Sequence, residues 1–147
     1  MNEDEALKVA FLAMYDRSLN HGDFGPTLKM CEPDAAFLGP NGMVVGTDAI
    51  IALIESQRAA FDGFRYEVEF IFANREGVGV VSVTRGRHMR ELFGVPASGR
   101  DIEIRMLSIH RLRNGRSIGG YTSSHYVETL RAAFEQAKAD ADLPTQA

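Results

Sequence analysis

A chain of 147 residues, of which 45% are hydrophobic and 24% charged, is long enough to bury one core and too short for two ordinary ones. A formal net charge of −4 argues against a nucleic-acid scaffold, and the single cysteine, Cys31, excludes an internal disulfide. No apolar run approaches the roughly 20 residues of a membrane-spanning helix. The opening Met1-Asn2-Glu3-Asp4-Glu5 is acidic where a targeting leader would be basic, so one domain over 1–147 and a cytoplasmic location are expected.

In chain order, Leu7, Phe11, Met14, Tyr15 and Leu19 recur at helical spacing, which predicts an amphipathic helix from Asp4 to about Leu19. Asn20-His21-Gly22-Asp23 stops it, and a second short helix runs through Leu28 and Met30 to end before Pro33. Cys31 there reads as a small buried hydrophobe. Ala35–Leu38 and Met43–Val45 read as a hairpin about the Gly39–Gly42 turn. Thr47 starts a third helix, with Ile50, Ile51, Leu53, Ile54 and Phe61 as its stripe and Gly63 as its stop.

Beyond Gly63 the period changes. Phe64–Ala73, Val78–Arg90, Arg100–Leu112 and Arg116–Tyr126 are rich in β-branched and aromatic residues and are separated by turn chemistry, which predicts an antiparallel meander. The basic triplet Arg85, Arg87 and Arg90 reads as a solvated strand rim. A last helix spans about Val127 to Ala139, and residues 139–147 form a frayed tail. Helices followed by a bent sheet make an α+β fold, with a curved antiparallel sheet wrapped around helices and a bowl between them as the natural ligand site.

Strand alternation assigns faces. In the third long strand Met106, Ser108 and His110 share one face, taken as the cavity side, while Leu107 and Ile109 on the other suit the interface of a homodimer. In the fourth, Tyr121, Ser123 and His125 share a face that is also assigned to the cavity; a one-residue bulge would reverse the facing in either strand. His21 reads as an exposed turn residue and Asp16 as a surface charge. Tyr15 either hydrogen-bonds a ligand or simply completes its helix stripe. No histidine pair has the spacing of zinc ligands and no glycine-rich phosphate loop is present, so neither metal nor cofactor is expected.

Three segments, Gly86-Arg87-His88, Phe93-Gly94-Val95-Pro96-Ala97-Ser98-Gly99-Arg100 and Arg111-Leu112-Arg113-Asn114-Gly115-Arg116, follow the order and spacing of a known family. On them the chain resembles the SnoaL-like polyketide cyclases from Tyr15 through Leu130, with weaker support from Asn20-His21-Gly22-Asp23 and Gly46-Thr47-Asp48. The resemblance implies the nuclear transport factor two-like cone fold with a deep hydrophobic pocket. His88 matches the histidine of the family's Gly-Thr-His segment, with Arg87 in place of the threonine. Aligned on the Gly115 turn, Tyr121 falls where the family commonly has tryptophan, and His125 where it has the aspartate resembling its general acid/base.

Two function classes follow. The first is a cofactor-independent cyclase or isomerase acting by acid/base catalysis on a hydrophobic polyketide- or terpenoid-like carbonyl compound. His125 would be its base or acid, His110 a donor to the developing oxyanion and His88 an orienting partner, with Tyr15, Met106, Ser108 and Tyr121 binding the ligand. The second is a non-catalytic protein that binds a hydrophobic small molecule. Convergence of the three histidines on one cavity discriminates the two.

Overall fold

The computed structural model describes residues 1–143. Helix α1, Glu3–Tyr15, begins at Asn2, whose side chain accepts from the Glu5 amide at 2.8 Å, and three acids occupy its positive first turn. Its stripe is Leu7, Phe11, Met14 and Tyr15. The helix then widens into a π-helical turn, Asp16–Asn20, in which Ser18 Oγ donates to the Met14 carbonyl at 2.7 Å. Gly22, at φ +67°, ends this run in the left-handed conformation that glycine tolerates.

Helix α2, Gly25–Met30, opens with Pro26, a residue preset for the first helical position. Strand β1, Cys31–Gly39, turns into β2, Gly42–Val45, and helix α3 follows over Thr47–Ala60. The meander consists of β3, Phe61–Asn74, β4, Gly77–His88, β5, Asp101–Arg113, and β6, Arg116–Ser123, before helix α4, Tyr126–Ala141. One curved, unclosed sheet results, in the order β2-β1-β6-β5-β4-β3. Every neighbouring pair is antiparallel except β1 and β6, which run parallel.

Several expected boundaries move, each for a local reason. Helix α3 stops at Ala60, and Gly63, at φ +65°, lies where the β3–β4 register shifts between Asp62 and Arg65; it marks a bulge inside a strand, not the end of a helix. Strand β1 begins at Cys31 and so contains Pro33, which sits where pairing with β6 is interrupted between Cys31 and Ala36 and where its missing N–H costs nothing. The last strand ends at Ser123, not Tyr126. The tail expected from 139 is still helical to Ala141, where Arg100 pairs with Asp140; residues 144–147 lie outside the described residues.

Burial along β5 alternates strictly, with Ile102, Ile104, Met106, Ser108, His110 and Leu112 inside and the odd residues exposed. On β4, Val78, Val80, Ser82, Thr84 and His88 are buried in turn. Helix α1 lies against β3 and closes the inner face with the fully buried Phe11. The basic triplet is paired on the outside: Arg85 with Glu67 and Glu103, Arg87 with Asp101, and Arg90 with Asp62. Among the described residues no helix is long and apolar enough to cross a membrane.

Candidate functional site

Between the inner face of the sheet, the π-helical turn and α3 lies a cavity with about 770 Å³ of atom-free space, mouth included. The π-helical turn and the residues before it supply Met14, Tyr15, Ser18 and Leu19; α3 supplies Ile50, Leu53, Ile54 and Gln57. Beneath them the sheet presents Phe37, Tyr66, Met106, Ser108, His110 and Thr122. None of the lining residues is an aspartate, glutamate, lysine or arginine. The site is therefore apolar with a few neutral polar groups, the usual make-up of a small-molecule pocket.

His110 is the cavity's one imidazole. Strand alternation on β5 points it inward, and its Nδ1 lies 2.8 Å from Ser117 Oγ. Three rings surround it, with centroids 5.1 Å (Phe37), 5.3 Å (Phe11) and 5.9 Å (Tyr15) away. Burial among them penalises the imidazolium and pushes the pKa down to about 4, so the ring is neutral at physiological pH.

Tyr15 stacks on Tyr66 at 5.4 Å, and its hydroxyl is buried with no protein partner. Burial raises the Tyr15 pKa well above the usual phenol range and pushes Tyr66 up to about 12 and the Cys31 thiol to about 11. All three stay protonated and act as neutral groups. Thr27 Oγ1, also on the wall, is a second buried hydroxyl without a partner. Ser108 and Thr122 hydroxyls meet at 3.1 Å across the β5–β6 pair.

Two contacts hold this wall in place. Asn20 binds both backbone groups of Tyr66, and Arg58 Nε donates to the Leu19 carbonyl at 3.0 Å, tying the π-helical turn to α3.

The structure brings Tyr15, Met106, Ser108 and His110 together in the cavity and does not bring in the other three expected residues. Tyr121 is 53% exposed on the outer face, opposite Ile109. The β6 assignment is thus reversed. Ile118 and Gly119 together oppose Arg111 in a bulge, which puts Ser117, Gly120 and Thr122 inside and turns the odd residues beyond it outward.

His125 lies past the end of β6 as the residue before α4, exposed, its carbonyl accepting from Thr129 N at 2.8 Å. His88 is fully buried on the inner face, but ten residues along β4 from Val78, the register partner of His110; that is roughly 30 Å of strand. It packs on Phe61 at 5.5 Å, and burial lowers its pKa against the opposing pull of the Arg90 backbone and the Glu91 carboxylate. The three histidines do not converge.

Sequence reading missed Phe37, Gln57, Tyr66, Ser117 and Thr122 as cavity residues. Thr122 was hidden by the bulge: counted from the Asn114-Gly115 turn without it, the residue opposite Ser108 is Tyr121, and only the inserted residue brings Thr122 there. His21 is exposed beside Asp16 at 3.5 Å, as a turn residue should be.

A family profile described as SnoaL-like domain matches residues 11–118. No curated protein matches the chain. Among solved structures, a protein from Jannaschia sp. CCS1 with a provisional SnoaL-like polyketide cyclase assignment superposes with TM-score 0.78 at 17% identity, over 91% of this chain and 95% of that one. IdmH from Streptomyces antibioticus, provisionally a polyketide cyclase, gives 0.72 at 26% identity, over 88% and 98%. AclR from Streptomyces galilaeus, provisionally a hydroxylase, gives 0.71 at 20%, over 97% and 87%. The matched profile spans most of the elements that build the cavity, from Phe11 to Ile118, and the chain belongs to the SnoaL-like domain family.

Proposed function

We propose that the cavity takes a hydrophobic carbonyl compound and that the chain catalyses its cofactor-independent isomerisation or cyclisation, with His110 acting at the carbonyl. The observation that carries this reading is the single imidazole, fixed by Ser117 and caged by three rings, on the wall of an uncharged cavity. Neutral His110 and Tyr15 can each donate a hydrogen bond to a carbonyl oxygen and stabilise negative charge that develops there, a larger effect in a dry site than in water. The names of the neighbours agree in part: IdmH bears a polyketide cyclase name, and AclR bears a different one on the same fold.

A second reading, non-catalytic binding of the same ligand class, is favoured by one observation. Among the described residues no carboxylate lines the cavity, and an imidazole that titrates near 4 is a weak base for taking a carbon-bound proton near neutral pH. Thermal-shift screening of cyclic and aryl ketones, followed by turnover assays on each hit, decides between the two. Turnover lost in His110→Ala supports catalysis; tight binding with no turnover by the wild type supports the second reading.

The proposed partner is a second copy of this chain. Strand pairing lines up Phe72, Gly79, Ile109, Tyr121, Leu38 and Met43 in one row across the outer face of all six strands. Each large member is exposed, and the Phe72 ring lies over Gly79, where any side chain would collide with it. Beside the row run ion pairs of both signs, Arg105 with Glu69 and Arg85 with Glu67 and Glu103. An apolar strip with mixed charges beside it is self-complementary about a twofold axis.

A further inference from the structure

Resting on the reading of this cavity as the ligand site, we propose that Ser117 locks His110 in the tautomer that carries its proton on Nε2. The cavity then presents a neutral hydrogen-bond donor, accepts uncharged ketones and rejects the carboxylates of the same skeletons.

One hydroxyl decides which nitrogen carries the proton. Ser117 is 1% exposed, so its O–H must find an acceptor within the protein. Its oxygen already accepts from the Gly119 amide at 3.2 Å, an approach created by the β6 bulge. Among the described residues two side-chain acceptors neighbour the hydroxyl: His110 Nδ1 at 2.8 Å, and the sulfur of Cys31, the register partner of Ser117 on β1. Thiol sulfur is a weak acceptor and imidazole nitrogen a strong one. If Nδ1 held the proton, the Ser117 hydroxyl would be left with only the sulfur, so the proton belongs on Nε2.

That nitrogen has no hydrogen-bond partner among the described residues, and its ring lines the cavity. The Tyr15 hydroxyl, buried and unpartnered on the same wall, is a second donor, with its ring centroid 5.9 Å from the imidazole. A ketone oxygen can accept from such donors without bringing in a charge. A carboxylate would have to shed its water with no cation among the lining residues to receive it, which is strongly unfavourable.

Side-chain ¹⁵N NMR of the whole protein near neutral pH reads the tautomer directly. The expected spectrum has His110 Nδ1 as an unprotonated acceptor nitrogen and Nε2 as a protonated one. Ser117→Ala should mix the two forms and weaken ketone binding roughly 5- to 20-fold, while Ser117→Thr, which keeps the hydroxyl, restores both. Acetophenone and 2-acetylnaphthalene, titrated against benzoate and 2-naphthoate, test the selectivity. Each ketone should perturb the His110 resonances and bind at least about 10-fold more tightly than its carboxylate.

A proton on Nδ1, equal binding of a matched pair, or no His110 response to either ketone overturns the proposal. Failure of the catalytic reading looks different: ketones bind and are not turned over. A proton on Nδ1, conversely, would leave Nε2 unable to donate and pass the donor role at the carbonyl to the Tyr15 hydroxyl, so turnover that persists with an Nδ1 proton would mark the loss of this inference alone.

Discussion

Asn20 pairs with Tyr66 as one β-strand pairs with another: its Nδ2 donates to the Tyr66 carbonyl at 2.8 Å and its Oδ1 accepts from the Tyr66 amide at 2.7 Å. A single side chain thus satisfies both backbone groups of a residue whose ring forms the cavity wall and stacks on Tyr15. Asn20→Ala removes both bonds and should cost about 2 kcal/mol, read as a lower midpoint in urea denaturation with an unchanged slope. Asn20→Asp keeps the acceptor but turns a carboxylate oxygen on the Tyr66 carbonyl and on Asp16 Oδ1, which Nδ2 meets at 2.8 and 3.0 Å, so it should cost at least as much as the alanine variant. A loss below about 0.5 kcal/mol in the alanine variant would mean that water replaces the amide.

Acid should destabilise the protein through its buried imidazoles. An unperturbed histidine titrates near 6.5, whereas folded His110 titrates at about 4 and folded His88 is also lowered. Between those values the unfolded chain binds protons that the folded chain does not. The His110 contribution is therefore complete above about pH 6.5 and is lost as pH falls towards about 4, by about 3 kcal/mol over the full window. Urea denaturation across that range should show the decline in the wild type and a shallower one in His110→Gln. Equal slopes would place the acid sensitivity elsewhere.

The placement of the histidines separates their variants. His110→Ala should lower turnover of any substrate found by about 100- to 1,000-fold, the usual cost of removing one oxyanion donor. His125→Ala and His21→Ala change exposed side chains outside the cavity and should both retain wild-type kinetics. Loss of turnover in His125→Ala, with the fold intact by circular dichroism, would return the acid/base role to the position that family resemblance suggests.

Assembly can be tested on the outer row. Ile109→Arg puts a charge at the centre of the apolar strip, on a side chain already 43% exposed, so the monomer should keep its stability within about 0.5 kcal/mol. Sedimentation should show the wild type as a dimer and the variant as a monomer at the same concentration. A monomeric wild type would remove the proposed interface.

Most of the architecture was legible because its signals are local. Helical stripes, the β-branched and aromatic runs of the long strands and the turn at Asn114-Gly115 each act within a few residues. The facing of β5 followed from alternation, which placed Met106, Ser108 and His110 correctly. Facing on β6 did not, because the bulge at Ile118 and Gly119 is set by pairing with β5, and Gly119 at φ +120° sits against the Ala36 backbone of a strand far away in sequence. Ser117 was invisible for the same reason: its value lies in meeting His110 across the sheet. His125 looked like a strand residue because nothing in Ser123-Ser124-His125 announces that the chain leaves the sheet there.

The parallel pairing of β1 with β6 carries a kinetic consequence. Arg116 Nη2 reaches the Cys31 carbonyl at 2.8 Å across a separation of 85 residues, and the Cys31–Ser117 pair lies beside it. The hairpins of β3 to β6 close short loops and can assemble early, whereas β1 must wait until β6 exists. Since β1 contributes Phe37 and Cys31 to the cavity, an order in which β1 docks after β6 would complete the cavity late in folding. On that order, a ligand bound there would stabilise contacts that the rate-limiting barrier does not yet contain. It should slow unfolding in proportion to its occupancy and leave the refolding rate unchanged, a difference that stopped-flow measurements in urea would resolve.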